Sequence, residues 1–368
     1  MDIEGKITGI KYKVSFTETL KTVDIRNFNI NESPAFCLVK DNNNSFAVSK
    51  WVSPKRTRSY PYERVYNTLT FSKKITVIPI IKDEGAGGDR DFLQWDTISL
   101  MSLLDVFVIF AYYEKAEIKS LSKNKITNQQ FNNKYVISKI KEIEQYHSSA
   151  LHWNLNELKN NFITLINKAK NCYAEISKQT DIKMHDSVRI KTFEANIQIN
   201  LIAFMLFLRE KAEKEQTREI FTTQPKESLS TLTKAKITIT NYLGGEYFFT
   251  VDEILIENNI VYLIESKHST NAILPSKGDI KDGLLKMILY SNLSDVEVDG
   301  VKTKSKAILK LTSPKIKGEI TSKSYAGKRA EFIFANKLDG NKQLLISELF
   351  KEAEENGFEV EIGKGNKN

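Results

Sequence analysis

Cysteine is scarce. Cys37 and Cys172 are the only two in 368 residues. They lie far apart and form no metal-ligand pair, so a cysteine metal site is excluded, and in a reducing compartment both are free thiols. Long apolar runs are also missing. The longest, Val106 to Tyr113 and Leu201 to Leu208, fall far short of the roughly 20 residues a membrane helix needs. The opening Met1-Asp2-Ile3-Glu4 is not followed by the apolar stretch of a signal peptide. The expectation is a cytoplasmic protein with no membrane partner. No internal repeat is evident. The glycine-rich stretch Lys82-Asp83-Glu84-Gly85-Ala86-Gly87-Gly88-Asp89-Arg90-Asp91 lacks the Gly-Lys-Ser/Thr ending of a Walker loop, which excludes that nucleotide site.

Charge is present in quantity. Lys and Arg number 54 against 46 Asp and Glu, a net charge of +8. A polyanionic partner suits that balance, because each phosphate neutralised by Lys or Arg releases counterions. Lysine used only for solubility gives the same number. At roughly 100–200 residues per domain, the length predicts two domains with room for a third region.

Three segments are expected. Residues 1–130 read as β-rich. Gly9 to Phe16 alternates, with Ile10, Tyr12, Val14 and Phe16 on one face, which predicts a half-buried strand. Phe36–Val39 and Ser45–Val48 flank the hairpin turn Asp41-Asn42-Asn43-Asn44. Ile75–Ile81 predicts a strand whose Pro79 favours an edge or a bulge, and Asp96–Tyr113 a buried helix. Residues 131–232 read as helical, with Thr222–Leu232 a linker or loop, and are expected to pack on the third segment or to form part of its core. Residues 233–368 alternate strands and helices, which predicts an α/β domain with a mixed sheet. Its strands are Lys236–Tyr242, Glu246–Ile256, Ile260–Lys267, Ala307–Leu311, Ala330–Ala335 and Gly357–Ile362. Its helices are Asp279–Asn292 and Leu344–Asn356.

The chemistry concentrates between Val251 and Lys267. Two apolar strands joined by Glu257-Asn258-Asn259 form a hairpin that brings Asp252, near the start of the first, to Glu265, near the end of the second. Glu265 and Lys267 are two apart and share a face with Val261 and Leu263. An apolar face that ends in two charges is not explained by packing. Two carboxylates can hold Mg²⁺ with several waters still attached. Such a metal polarises a phosphoryl oxygen and activates a bound water. A lysine beside it can orient that water, assist its deprotonation or stabilise charge in the transition state, and next to two acids the electrostatic role is preferred. Glu253 competes with Asp252 as the first acid. Asp252 is preferred because it shares a face with Phe248 and Thr250.

Asp252, twelve intervening residues, then Glu265-Ser266-Lys267 resembles the motif of the PD-(D/E)xK nuclease superfamily and, within it, of type II restriction endonucleases. Val251 stands where the motif has proline. Lys277 to Leu289 looks like the helix that follows the catalytic strand in several of these enzymes. The resemblance spans about Asn241 to Leu311. It implies a restriction-endonuclease-like mixed central sheet flanked by helices, α+β overall. It also implies Mg²⁺ held by Asp252 and Glu265, with Lys267 as the third catalytic residue. The implied reaction is hydrolysis of double-stranded DNA at a short sequence, giving 5′-phosphate ends. A cognate DNA methyltransferase is expected in the same genome, and symmetric cutting would suit a homodimer. An acid on a preceding helix often completes such sites, and Glu194 is the candidate. A repair or recombination nuclease with the same site, and a DNA-binding protein with a degenerate nuclease fold, are the alternatives.

DNA contacts are expected elsewhere in the chain as well. Ser53 to Arg64 is the densest basic segment with aromatics, offering Lys55, Arg56, Arg58, Tyr60 and Arg64 to phosphate or base edges. Arg90 and Gln94 flank the glycine-rich loop. Lys281 and Lys286, on the helix after the catalytic strand, could face phosphate. His268 alternates away from Lys267 and reads as structural.

Overall fold

A computed structural model describes residues 2–54, 60–120, 122, 124–186, 188–210, 235–241 and 246–365. Two compact units emerge. Unit 1 comprises Met1–Glu18, Gln224–Tyr242 and Glu246–Asn368, and unit 2 comprises Thr19–Thr223 with Leu243–Gly245. The described helices between residues 133 and 210 fall in unit 2 with the N-terminal sheet. Among the described residues no helix is long and apolar enough to cross a membrane. Cys37 and Cys172 are both free.

The chain opens with β1 (Asp2–Ile7) of unit 1. Unit 2 follows with β2 (Thr22–Asp24), β3 (Phe36–Asp41), β4 (Asn44–Lys50), α1 (Tyr60–Tyr66), β5 (Lys74–Pro79), β6 (Ile81–Asp83), β7 (Arg90–Phe92), α2 (Trp95–Leu103) and β8 (Val106–Ala111). Then come β9 (Tyr113–Ile118), β10 (Ile126–Phe131), α3 (Asn133–Glu144), α4 (Ala150–Asn160), α5 (Phe162–Thr180) and α6 (Val188–Glu210). Its main sheet runs β2-β3-β4-β5-β8. The hairpin turn at Asn42 is as expected, with Asn42 at φ +50°.

Two expectations fail here. Pro79 does not mark an edge: β5 lies between β4 and β8, with Pro79 as its last residue, where the missing N–H breaks no interior ladder bond. The apolar run from Asp96 is not one helix. It splits at Asp105 (φ +55°) into α2 and the wholly buried strand β8, Val106-Phe107-Val108-Ile109-Phe110-Ala111. A continuous apolar run has no period that separates a buried helix from a buried strand, and β-branched residues decide for the strand.

Unit 1 contains two five-stranded sheets. The first has order β12-β11-β1-β15-β16, with β11 (Ala235–Asn241), β12 (Glu246–Val251), β15 (Leu293–Val298) and β16 (Val301–Lys302). The second has order β13-β14-β17-β19-β18, with β13 (Glu253–Glu257), β14 (Ile260–His268), β17 (Lys304–Thr312), β18 (Ile320–Thr321) and β19 (Glu359–Gly363). In it β14, β17 and β19 are parallel, and β13 pairs antiparallel with β14 at the edge. Helix α7 (Lys277–Tyr290) lies in the crossover from β14 to β17, and α8 (Ala326–Ala335) and α9 (Gly340–Asn356) in that from β17 to β19. The unit is thus mixed α/β.

The expected strand Glu246–Ile256 is really β12 and β13, in different sheets, broken by a bend at Asp252. Ala330–Ala335 is helix, not strand. Gly9–Phe16 is unpaired by any strand, although Phe16 is buried.

Candidate active site

β14 positions the site. Ile260-Val261-Tyr262-Leu263-Ile264 is β-branched and aromatic, as strands prefer. Asn258 (φ +51°) and Asn259 (φ +59°) turn it back on β13, and asparagine tolerates that left-handed backbone. Val261 and Leu263 are fully buried, and Glu265, two residues on, is 1% exposed. The expected apolar face ending in charge is therefore present.

α7 covers this face. Ser276 caps it, its Oγ accepting from the Asp279 N–H at 3.1 Å. Ile280, Leu284, Met287 and Ile288 are buried as the periodicity predicts, and Leu285 and Leu289 with them. Each such side chain contributes about 1.5–3 kcal/mol. Asp282 and Lys286 of this helix are spaced by four and so lie on one side of it.

These elements assemble a cluster of two acids and two lysines. The Lys267 Nζ lies 3.0 Å from Glu265 Oε1 and also donates to Asp282 Oδ2. Lys286 Nζ donates to Glu265 Oε2 at 2.8 Å. Burial opposes the charge on Lys267, but Glu265 and Asp282 outweigh it and hold the ammonium above lysine's usual range. Burial pushes the Asp282 carboxyl up, and Glu265 adds to this. Lys267 and Lys286 offset only part of it. Asp282 is 3% exposed and its Oδ1 has no hydrogen-bond partner.

Asp252 sits at the bend between β12 and β13, opposite the end of β14. Its Oδ2 accepts from the Ser266 N–H at 3.0 Å, the amide between Glu265 and Lys267. The hairpin thus joins the expected residues as antiparallel pairing requires. Glu253, the competing first acid, is exposed and pairs with Lys310 at 2.9 Å. Asp252 is the acid bonded to the Glu265–Lys267 strand end.

Gly283 lets the helix approach. A Cβ there would lie 2.6 Å from Leu309 Cδ1 and 3.3 Å from Lys267 Cε. Gly283→Ala is expected to lower stability by about 1–3 kcal/mol through overpacking, against a helix-propensity gain of about 1 kcal/mol. A thermal melt reads the net sign. A raised melting temperature would show that this contact yields freely.

The other expected residues are placed less favourably. Lys281 is 1% exposed, 3.1 Å from Glu18 and over the Phe16 ring, so it is a packed ion pair and faces no phosphate. Lys286 faces Glu265. Glu194 belongs to unit 2, on α6, where Lys170 holds it at 2.6 Å. Arg90 is tied to Asp186 and lies over Phe92, its side chain 3% exposed. Arg64 donates to the Lys50 carbonyl at 2.5 Å. Gln94 is exposed at the start of α2. Lys55, Arg56 and Arg58 lie outside the described residues, and Tyr60 opens α1. His268 bonds Thr312 Oγ1 at 2.9 Å, as a structural histidine would. The sequence reading passed over Asp282. Its signal is a carboxylate four residues before Lys286, in a helix whose residues from Gly283 to Tyr290 are otherwise mostly apolar.

The donor set fits Mg²⁺, which ordinarily takes one or two carboxylates and keeps several waters. Glu265 and Asp282 already share one cation, and Asp282 keeps an unused oxygen. Among the described residues no group of three or more His, Cys, Asp or Glu is placed to hold a metal ion. None of the family models, curated proteins or solved structures compared with this chain matches it.

Proposed function

We propose that unit 1 is a metal-dependent nuclease that hydrolyses DNA phosphodiesters, in the manner of a type II restriction endonuclease. One observation carries the reading. Asp252 bonds the amide between Glu265 and Lys267, so two carboxylates and a lysine converge at the end of a buried strand. Asp252 and Glu265 would hold Mg²⁺, which when bound supplies a polarised phosphoryl oxygen and an activated water.

The residues' own contributions follow from the geometry. Lys267, held charged by its acids, stabilises negative charge developing on the phosphoryl group. An ammonium so held is a poor base, so its role is electrostatic. The Ser266 N–H orients Asp252. Lys286 donates to the second oxygen of Glu265 at 2.8 Å and places a positive charge beside that buried carboxylate. The net charge of +8 favours a polyanionic partner, and a short duplex sequence cut symmetrically would suit a homodimer.

The test is incubation of the full chain with mixed plasmid and phage DNA, in Mg²⁺ and in EDTA. Defined fragments in Mg²⁺ alone are expected. Structure-selective nicking would favour the repair class of the same chemistry. DNA retention without metal-dependent cutting of any substrate would overturn the proposal in favour of a binding protein.

A further inference from the structure

We propose that Asp282 is a further carboxylate of the metal site, and that it shares with Glu265 the cation position filled by the Lys267 ammonium. This rests on the nuclease reading above. The Lys267 Nζ is held between Glu265 Oε1, at 3.0 Å, and Asp282 Oδ2. Acids from β14 and α7 thus already bind one cation jointly. The ammonium stands in for a metal between them.

Asp282 Oδ1 is the second, independent observation. It is buried, on a residue 3% exposed, and has no hydrogen-bond partner. A buried acceptor left unused is unfavourable, more so when charged. An ion pair kept only for stability would be better as two apolar side chains. A free lone pair beside a shared cation is what a ligand position requires.

The neighbours suit an exchange of cations. Glu265 keeps Lys286 on its other oxygen, at 2.8 Å, so it stays compensated when Lys267 releases it. Two acids and two lysines balance in the metal-free cluster. Gly283 brings the helix close against Lys267, since a Cβ there would lie 3.3 Å from its Cε. Lys267 and metal therefore compete for one pair of carboxylates.

Mn²⁺ binding without DNA tests this, with the free ion read by electron paramagnetic resonance on the full chain. Asp282→Asn is expected to weaken Mn²⁺ about tenfold or more. Lys267→Met is expected to bind Mn²⁺ at least as tightly as the unaltered protein. In the Lys267→Met background, Asp282→Asn should weaken binding by a similar factor. If that effect vanishes there, Asp282 acts only through the lysine and the proposal is overturned. Unaltered affinity in Asp282→Asn overturns it too, and if the parent protein still cuts DNA with metal, the nuclease reading stands alone. No Mn²⁺ binding and no metal-dependent cutting by the parent protein would remove both. Circular dichroism checks folding, and Asp282→Ser carries the same comparison should the asparagine variant fail to fold.

Discussion

Lys267→Ala is expected to cut DNA about 100- to 1,000-fold more slowly than the parent protein, the usual loss when one preorganised stabilising group is removed. The same change has a second consequence that an ordinary catalytic substitution lacks. Lys267 is the shared partner of Glu265 and Asp282, which are 1% and 3% exposed. Without it, Asp282 is left as an uncompensated buried acid. Breaking such a pair costs about 3–5 kcal/mol, less whatever is recovered when one carboxyl takes a proton. Chemical denaturation in EDTA should therefore show unit 1 weakened. A divalent metal held by those acids should restore about 2.7 kcal/mol at a hundred times its Kd. Initial rates and denaturation midpoints, with and without Mg²⁺, measure both parts. Cutting at the parent rate would sink the proposed site. Slow cutting with no change of stability would place the lysine outside the buried cluster.

Legibility in the sequence divides along physical lines. The β13–β14 hairpin was readable because Asn258-Asn259 is strong turn chemistry and β14 is β-branched. The neighbouring acids were readable because antiparallel pairing fixes which ends meet. α7 was readable from its period. What the sequence hid depends on partners distant in the chain. Nothing local shows that β12 leaves its sheet at Asp252, since both halves of Glu246–Ile256 are good strand sequence. Phe332, Ile333 and Phe334 are β-formers and point to a strand, yet the segment is α8, with Phe334 86% exposed and only Phe332 buried. A short run of mixed propensity is settled by tertiary contacts. Lys286 and Lys281 looked like phosphate ligands because a lysine's partner is invisible without the fold. Each is in fact held by a carboxylate.

The segment Gly9–Phe16 shows how a correct pattern can yield a wrong element. Its alternation is real, and Phe16 is buried, but its backbone is satisfied by side chains, not by a neighbouring strand. Asn292 Oδ1 accepts from the Lys11 N–H at 2.8 Å and its amide donates to the Lys11 carbonyl at 3.2 Å. Asn356 does the same for Lys13, at 2.6 and 2.9 Å. Two asparagines thus imitate the ladder of an adjacent strand.

Glu352 of α9 is the centre of that arrangement, and Glu352→Gln is expected to be among the most destabilising changes in unit 1. The residue is fully buried. Its Oε1 accepts from the Tyr12 hydroxyl at 2.8 Å, and its Oε2 from the Ser15 and Phe16 N–H groups at 2.9 and 2.6 Å. Burial, then the Glu352 charge, pushes the Tyr12 phenol well above its ordinary range, so the hydroxyl stays a donor. Glutamine keeps the shape but can point an oxygen at only one side. Its amide would then face either the tyrosine hydroxyl or two backbone N–H groups. Hydrogen bonds to a charged group contribute about 1.5–3 kcal/mol each, so a loss of roughly 3 kcal/mol or more is expected. Hydrogen exchange should show the Ser15 and Phe16 amides losing protection. A loss under about 1 kcal/mol with protection intact would mean the segment is held by its apolar side chains alone. The consequence reaches the site through Phe16 and Glu18, which pack on and pair with Lys281. Lys281 precedes Asp282 in α7, so loosening the segment removes the outer support of the helix that carries Asp282 and Lys286. Metal-dependent cutting should fall in Glu352→Gln as well, although Glu352 is no part of the acid–lysine cluster.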